Sequence, residues 1–200
     1  MIMLLLPLSL AVSSASASRL RHQALQPAFV PPPLSFSSRS ASFPHPLRRP
    51  CTSLFGLLDG LQPTDNVSQL SDEVLSGAQL SPESVKKLLA NGVKSVLNVR
   101  AAIEPGYRDD SELCEGENCG YFHSAVTPFD WSRAKVDGIL ATVEAAPKPI
   151  FIHCAANIRS AAVAVLHEVK SGRLSEGDAV SKAKMINDRA GGLVERYLKG

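Results

Sequence analysis

Residues 150–160 read Ile-Phe-Ile-His-Cys-Ala-Ala-Asn-Ile-Arg-Ser. Ile150, Phe151 and Ile152 make the short, wholly apolar run that a strand buried on both faces requires. From residue 160 to 170 the composition is Ala- and Val-rich and helical, and Gly172 closes it. The seven residues between leave a strand end and enter the first turn of a helix. Strand, polar loop and helix in that order are the unit of a parallel α/β sheet, and the loop falls where such sheets hold ligands.

The same alternation continues outward. Pro147 and Pro149 separate the strand from a helix expected over 132–145, where Val136, Ile139, Leu140 and Val143 share one stripe. Ser81-Pro82-Glu83 opens an earlier helix, with serine as cap, proline in the first turn and an acid at the positive end of the dipole. Val85, Leu88 and Leu89 form its buried face and Asn91-Gly92 ends it. Strands are expected over 93–99 and 121–126, after a short apolar stretch at 74–80. The polar stretch 101–120 reads as a loop with one short helical turn, and 175–187 and 193–198 as two further helices. The expected fold is an α/β three-layer domain over 59–200, with a mainly parallel sheet flanked by helices.

Residues 1–58 differ in kind. They hold no Asp, Glu or Lys, and their five basic residues are all arginines among many serines and prolines. Such a segment buries too little apolar surface to fold and has the composition of a transit peptide. Residues 3–12 form an apolar run, too short to span a bilayer, before the small residues Ser13-Ser14-Ala15-Ser16-Ala17. The leader therefore reads as bipartite and removable. Subtracting its arginines from 21 basic residues against 19 acidic ones leaves the body at −3, so no charge excess favours nucleic acid. No later run is long enough for stable membrane insertion.

The loop carries the chemistry. Amides at a helix N-terminus converge on an anion, and the dipole adds positive potential. In that frame Arg159 offers paired donors to phosphate oxygens, and Cys154 becomes a lowered-pKa nucleophile. His153 is expected to hydrogen-bond the loop backbone and hold its shape. Ser160 is either a helix cap or a hydroxyl beside the sulfur. Cys114, Cys119 and His123 form a C-x4-C-x3-H cluster, open between incidental thiols, a redox pair and a metal site lacking a fourth ligand. No cofactor or metal is expected.

His153-Cys154, a short loop, then Arg159-Ser160 resembles the signature of protein tyrosine and dual-specificity phosphatases. Residues 77–82, Gly-Ala-Gln-Leu-Ser-Pro, followed by 88–100, Leu-Leu-Ala-Asn-Gly-Val-Lys-Ser-Val-Leu-Asn-Val-Arg, look like the start of the phosphatase-like domain of beta-lactamase-hydrolase-like proteins. They are also similar to the dual-specificity-phosphatase-like module fused to plant plastid NAD kinases. The leader resembles the two-part plastid-targeting leaders of algae with complex plastids, with Ala28-Phe29-Val30-Pro31 in the place of their aromatic motif.

These resemblances imply a plastid phosphoric monoester hydrolase of protein-tyrosine-phosphatase-like fold, acting through a cysteinyl-phosphate. In it Cys154 attacks phosphorus, while Arg159 and the loop residues Ala155, Ala156, Asn157, Ile158 and Ser160 bind the phosphate. The general acid of the superfamily lies upstream of the nucleophile, which points to Asp130, a residue that otherwise caps the following helix. Asp109 and Asp110 read as solvated loop charges. The loop departs from the usual phosphatase pattern, with four residues between cysteine and arginine instead of five and Asn157 in place of glycine. A non-catalytic phosphate-binding module and a rhodanese-like sulfurtransferase therefore stand as alternatives. The substrate is open among phosphorylated protein, lipid, glucan and metabolite.

Overall fold

A computed structural model describes residues 56–200. The leader expected over 1–58, with Cys51 and the 28–31 motif, lies outside the described residues except for its last three positions. Of these, Leu57 and Leu58 pack against the domain core.

Five strands form one sheet: β1 (Val67–Gln69), β2 (Val74–Gly77), β3 (Ser95–Asn98), β4 (Gly120–His123) and β5 (Ile150–His153). Their spatial order is β1-β2-β5-β3-β4, with β1 antiparallel and the rest parallel. Six helices cover the two faces: α1 (Pro82–Ala90), α2 (Ser111–Gly116), α3 (Arg133–Ala145), α4 (Arg159–Lys170), α5 (Glu176–Ile186) and α6 (Asp188–Lys199). The protein-tyrosine-phosphatase-like layering expected from the sequence is present.

Alternation along the strands divides the core in two. Leu75, Val96 and Phe151 face α1 and α2, packing with Val85, Leu88 and Cys114. Val74, Leu97, Ile150 and Ile152 face the other helices, packing with Ile139 of α3, Val163 of α4, Ala183 of α5 and Val194 of α6. Central β5 is covered on both sides, which explains its unbroken apolar run.

Helix α1 starts as its sequence dictates, the Ser81 hydroxyl accepting the Ser84 amide at 3.2 Å. The last helix is longer than expected. Asn187 caps it, accepting from the Arg189 amide at 3.1 Å, and it runs from Asp188 through Gly191-Gly192. A Cβ on Gly191 would lie 2.4 Å from the Lys184 side chain, which lies over this glycine.

In register, Gly77 of β2, His153 of β5 and Asn98 of β3 share one carboxyl edge of the sheet. The 153–160 loop leaves from that edge and α4 begins there.

Candidate active site

Cys154 is 1% exposed, at the floor of a cavity of about 320 Å³ lined by Glu104, Pro128, Phe129, Ala155, Ile158 and Arg159. Its sulfur receives the Ile158 amide at 3.3 Å and the Ser160 hydroxyl at 3.2 Å. Burial pushes the thiol up, but hydrogen bonds from Ser160 and Ala156 and the Arg159 charge outweigh it and hold Cys154 below the ordinary thiol range.

Ser160 is the second residue of α4, not its cap, which is Ile158. The same hydroxyl lies 2.8 Å from the Gly77 carbonyl and 3.1 Å from Asn157 Oδ1, tying loop, sulfur and β2 together. Gly77 cannot gain a side chain cheaply, because a Cβ would meet the Phe151 ring at 2.7 Å.

Asn157 adopts the left-handed conformation (φ 54°) that a glycine would take without strain. Its side chain turns away from the cavity, donating to the Asn66 carbonyl at 3.2 Å. This contact compensates the left-handed backbone and pins the loop to the turn before β1.

Arg159 shows how an anion would be received. One N–H of Nη1 and one of Nη2 clasp Glu104 at 2.5 and 2.7 Å, and Nη1 also reaches the Val126 carbonyl at 2.7 Å. Of the five guanidinium N–H groups, these contacts leave the Nε edge and the second Nη2 hydrogen for a ligand. The Arg159 pair, helped by the Ala101 amide, holds the Glu104 carboxyl at about 2, so it is an anion throughout the physiological range. Arg100 braces the same carboxylate at 3.3 Å and binds the Pro105 and Gly106 carbonyls at 2.7 and 2.8 Å. Glu104 is the site residue that sequence reading missed: it lies 55 positions from its partner, and no spacing rule links them.

His153 does not hold the loop by hydrogen bonds as expected. Its ring stacks on Phe151 with centroids 5.7 Å apart, and neither nitrogen has a hydrogen-bond partner among the described residues. Burial, with Arg108 and Arg100 nearby, lowers its pKa to about 3, so it is neutral packing beneath the nucleophile. The nearest carboxylate oxygen, from Asp110, is 3.8 Å away. Asp110 is itself no solvated loop charge: it is buried and paired with Arg108 at 2.6 Å, while Asp109 caps the Ser111 amide at 2.9 Å.

Asp130 is not brought into the cavity. Its side chain is 58% exposed and pairs with Lys135 at 3.2 Å, and the cap of α3 is Ser132, so the capping alternative also fails. Its neighbours hold the cavity wall. Phe129 is 99% exposed at the mouth, Trp131 is buried with its indole N–H on the Leu193 carbonyl at 3.0 Å, and Arg196 reaches the Pro128 carbonyl at 2.6 Å.

His123 turns to the Arg100 carbonyl at 2.7 Å and does not join Cys114 and Cys119. Among the described residues no group of three or more His, Cys, Asp and Glu could hold a metal ion, and no helix is long and apolar enough to cross a membrane.

No family model matches the chain, and no curated protein matches it. Solved structures do. A DUF442 protein of Shewanella putrefaciens is 20% identical with a TM-score of 0.57, covering 71% of this chain and 95% of that one. The TpbA protein of P. aeruginosa, in complex with pTyr, is 17% identical with a TM-score of 0.52, covering 70% and 94%. The core catalytic domain of the PP-IP phosphatase SIW14 from S. cerevisiae is 16% identical with a TM-score of 0.55, covering 67% and 83%. Identities of 16–20% over most of each neighbour's length establish the fold, so the described residues form a mainly parallel α/β domain of the protein-tyrosine-phosphatase-like kind.

Proposed function

We propose that this chain is a cysteine-dependent phosphoric monoester hydrolase. The observation that carries the reading is the buried Cys154 sulfur at the start of α4, receiving the Ile158 amide and the Ser160 hydroxyl beneath the free edge of Arg159. A thiolate in that field attacks the phosphorus of a bound monoester, an S–P bond forms, and the P–O bond to the leaving group breaks. Loop amides and Arg159 hold the equatorial oxygens as charge shifts. Water then attacks phosphorus and the S–P bond breaks, with the Ser160 hydroxyl stabilising the departing thiolate.

Asp130 is proposed as proton donor to the leaving oxygen, which requires its pair with Lys135 to open. The likeness to a domain whose printed name is PP-IP phosphatase, and to a protein solved with phosphotyrosine, supports phosphate-ester chemistry at this loop. So does the apolar cavity wall of Pro128, Phe129 and Ile158, which suits the carbon skeleton of an ester. Delivery to a plastid by the acid-free leader is part of the same proposal.

The second reading, a phosphate-binding module without turnover, is favoured by the exposed position of Asp130. Phosphate release from an aryl phosphate by the full chain separates the two. Wild type should turn over, while Cys154→Ser should lose turnover and keep oxyanion binding, because the amides and Arg159 remain. Equal residual hydrolysis by both, with phosphate bound by both, establishes the binding module instead.

A further inference from the structure

Cys114 and Cys119 stand outside the site, and their placement follows from the backbone. The Cys119 amide donates to the Cys114 carbonyl at 2.9 Å, the Asn118 amide to the Glu115 carbonyl at 3.3 Å, and Asn118 is left-handed at φ 53°. Those features define a Schellman closure of α2, with Cys114 at the third position from the helix end, Asn118 at the left-handed one and Cys119 just beyond. This motif brings the first and last of these side chains into contact, usually as an apolar pair. Here both are thiols, with Cys119 packed against the cluster that contains Cys114 and its own Sγ donating to the Gly120 carbonyl at 3.5 Å.

Their surroundings differ. Cys114 is fully buried in the cluster with Leu75, Val96 and Phe151, while Cys119 packs against that cluster from a half-buried position. The Cys119 amide on the Cys114 carbonyl at 2.9 Å holds the two backbones at the short separation from which a disulfide closes with little movement.

We propose that Cys114 and Cys119 form a redox-active dithiol, a disulfide-exchange site distinct from Cys154, whose co-reactant is a small disulfide of the glutathione class. Cys119 is the attacking thiol, because it is the accessible one. The neighbouring Cys114 thiol and the Lys94 charge outweigh burial and lower its pKa, whereas the neighbouring Cys119 thiol and burial raise that of Cys114. The Cys119 thiolate attacks one sulfur of the incoming disulfide, forming a mixed disulfide and expelling one small thiolate. Cys114 then gives up its proton, attacks the Cys119 sulfur and expels the second. Two small thiolates leave and take up the two protons released by the protein thiols. The protein loses two electrons and the small disulfide gains them.

The test uses the full chain, reduced and then equilibrated in glutathione buffers of increasing oxidised fraction, with remaining free thiols alkylated. A glutamyl endoprotease cuts after Glu115 and Glu117, between the two cysteines, so only a Cys114–Cys119 bond keeps the fragments together. The expected result is that linked pair, lost on reduction, with no lasting glutathione on Cys119. In Cys114→Ser, Cys119 should accumulate as the glutathione mixed disulfide. In Cys119→Ser, Cys114 should stay reduced, at least tenfold slower to react than Cys119. Stable glutathionylation of Cys119 in wild type, a bond mapped to Cys154, or both thiols free in the most oxidising buffer each overturns the proposal. The wild-type mapping decides it even if a variant fails to fold.

Discussion

Replacing His153 by leucine removes a group whose folded and unfolded protonation differ sharply. The imidazole is 1% exposed and its pKa falls from 6.5 to about 3, because burial and the Arg108 and Arg100 charges oppose a further positive charge. Between those values the unfolded chain binds a proton that the folded chain refuses. His153 therefore costs no stability above about pH 6.5, and stability drains away as pH falls toward 3. Each pH unit is worth about 1.4 kcal/mol, so wild type should lose about 2 kcal/mol from this residue between pH 7 and pH 5. That is a large share of a typical net stability of about 5–15 kcal/mol. Ordinary carboxylates have barely begun to titrate at pH 5, and every other histidine is common to both proteins. Urea unfolding of wild type and His153→Leu at the two pH values isolates the effect, and the wild-type loss should exceed that of the variant by about 2 kcal/mol. Parallel losses, within about 0.5 kcal/mol, would refute the neutral, buried reading of His153.

Glu104→Gln should weaken the clasp on Arg159 and lower stability by about 1–2 kcal/mol at pH 7, the size of a charged hydrogen bond discounted for solvent at its open edge. Because the Glu104 pKa is depressed, the difference from wild type should shrink as pH falls from about 4.5 toward 2, which urea titrations in that range will read. Asp130→Asn should slow alkyl phosphates about 10² to 10⁴-fold and aryl phosphates much less if Asp130 is the proton donor; equal rates for both ester classes relative to wild type assign it to the surface pair with Lys135 alone. Gly77→Ala should destabilise by about 1–3 kcal/mol through overpacking on Phe151, measured as a lowered urea midpoint. N-terminal sequencing of the endogenous protein should begin well past residue 20, and an intact start at Met1 argues against a cleaved leader.

The readable parts of the fold were those set by local chemistry. The Ser81-Pro82 cap, the stripe at Val136, Ile139, Leu140 and Val143, and the apolar 150–152 run each carry their signal within a few residues. Cys154, Arg159 and Ser160 were legible for the same reason, since one strand-loop-helix junction assembles them.

What escaped depends on distant partners or on contacts that override local pattern. Edge strand β1, Val67–Gln69, is only half-buried and shows no apolar run, so its pairing with β2 has no local signature. Strand β4 stops at His123 instead of 126, although the Ser124 and Val126 amides still find the Asn98 and Val99 carbonyls. The last helix begins at Asp188, five residues before the expected 193, because Asn187 caps it and it runs on through Gly191-Gly192. Glu104 was hidden by the 55 residues that separate it from Arg159, and the burial of Asp110 by an arginine two positions before it.

The wall of the cavity also orders events in time. Trp131 is fixed by a carbonyl 62 residues later in the chain, and Pro128 by the still later Arg196. On a ribosome adding about 5–20 residues per second, Leu193 is made some 3–12 s after Trp131. The nascent chain can build sheet and nucleophile loop while the Thr127–Trp131 segment still lacks its anchor. Chains on the ribosome thus pass through a stage with the sulfur in place and the wall unfastened, and any stalled or C-terminally truncated product is held at that stage.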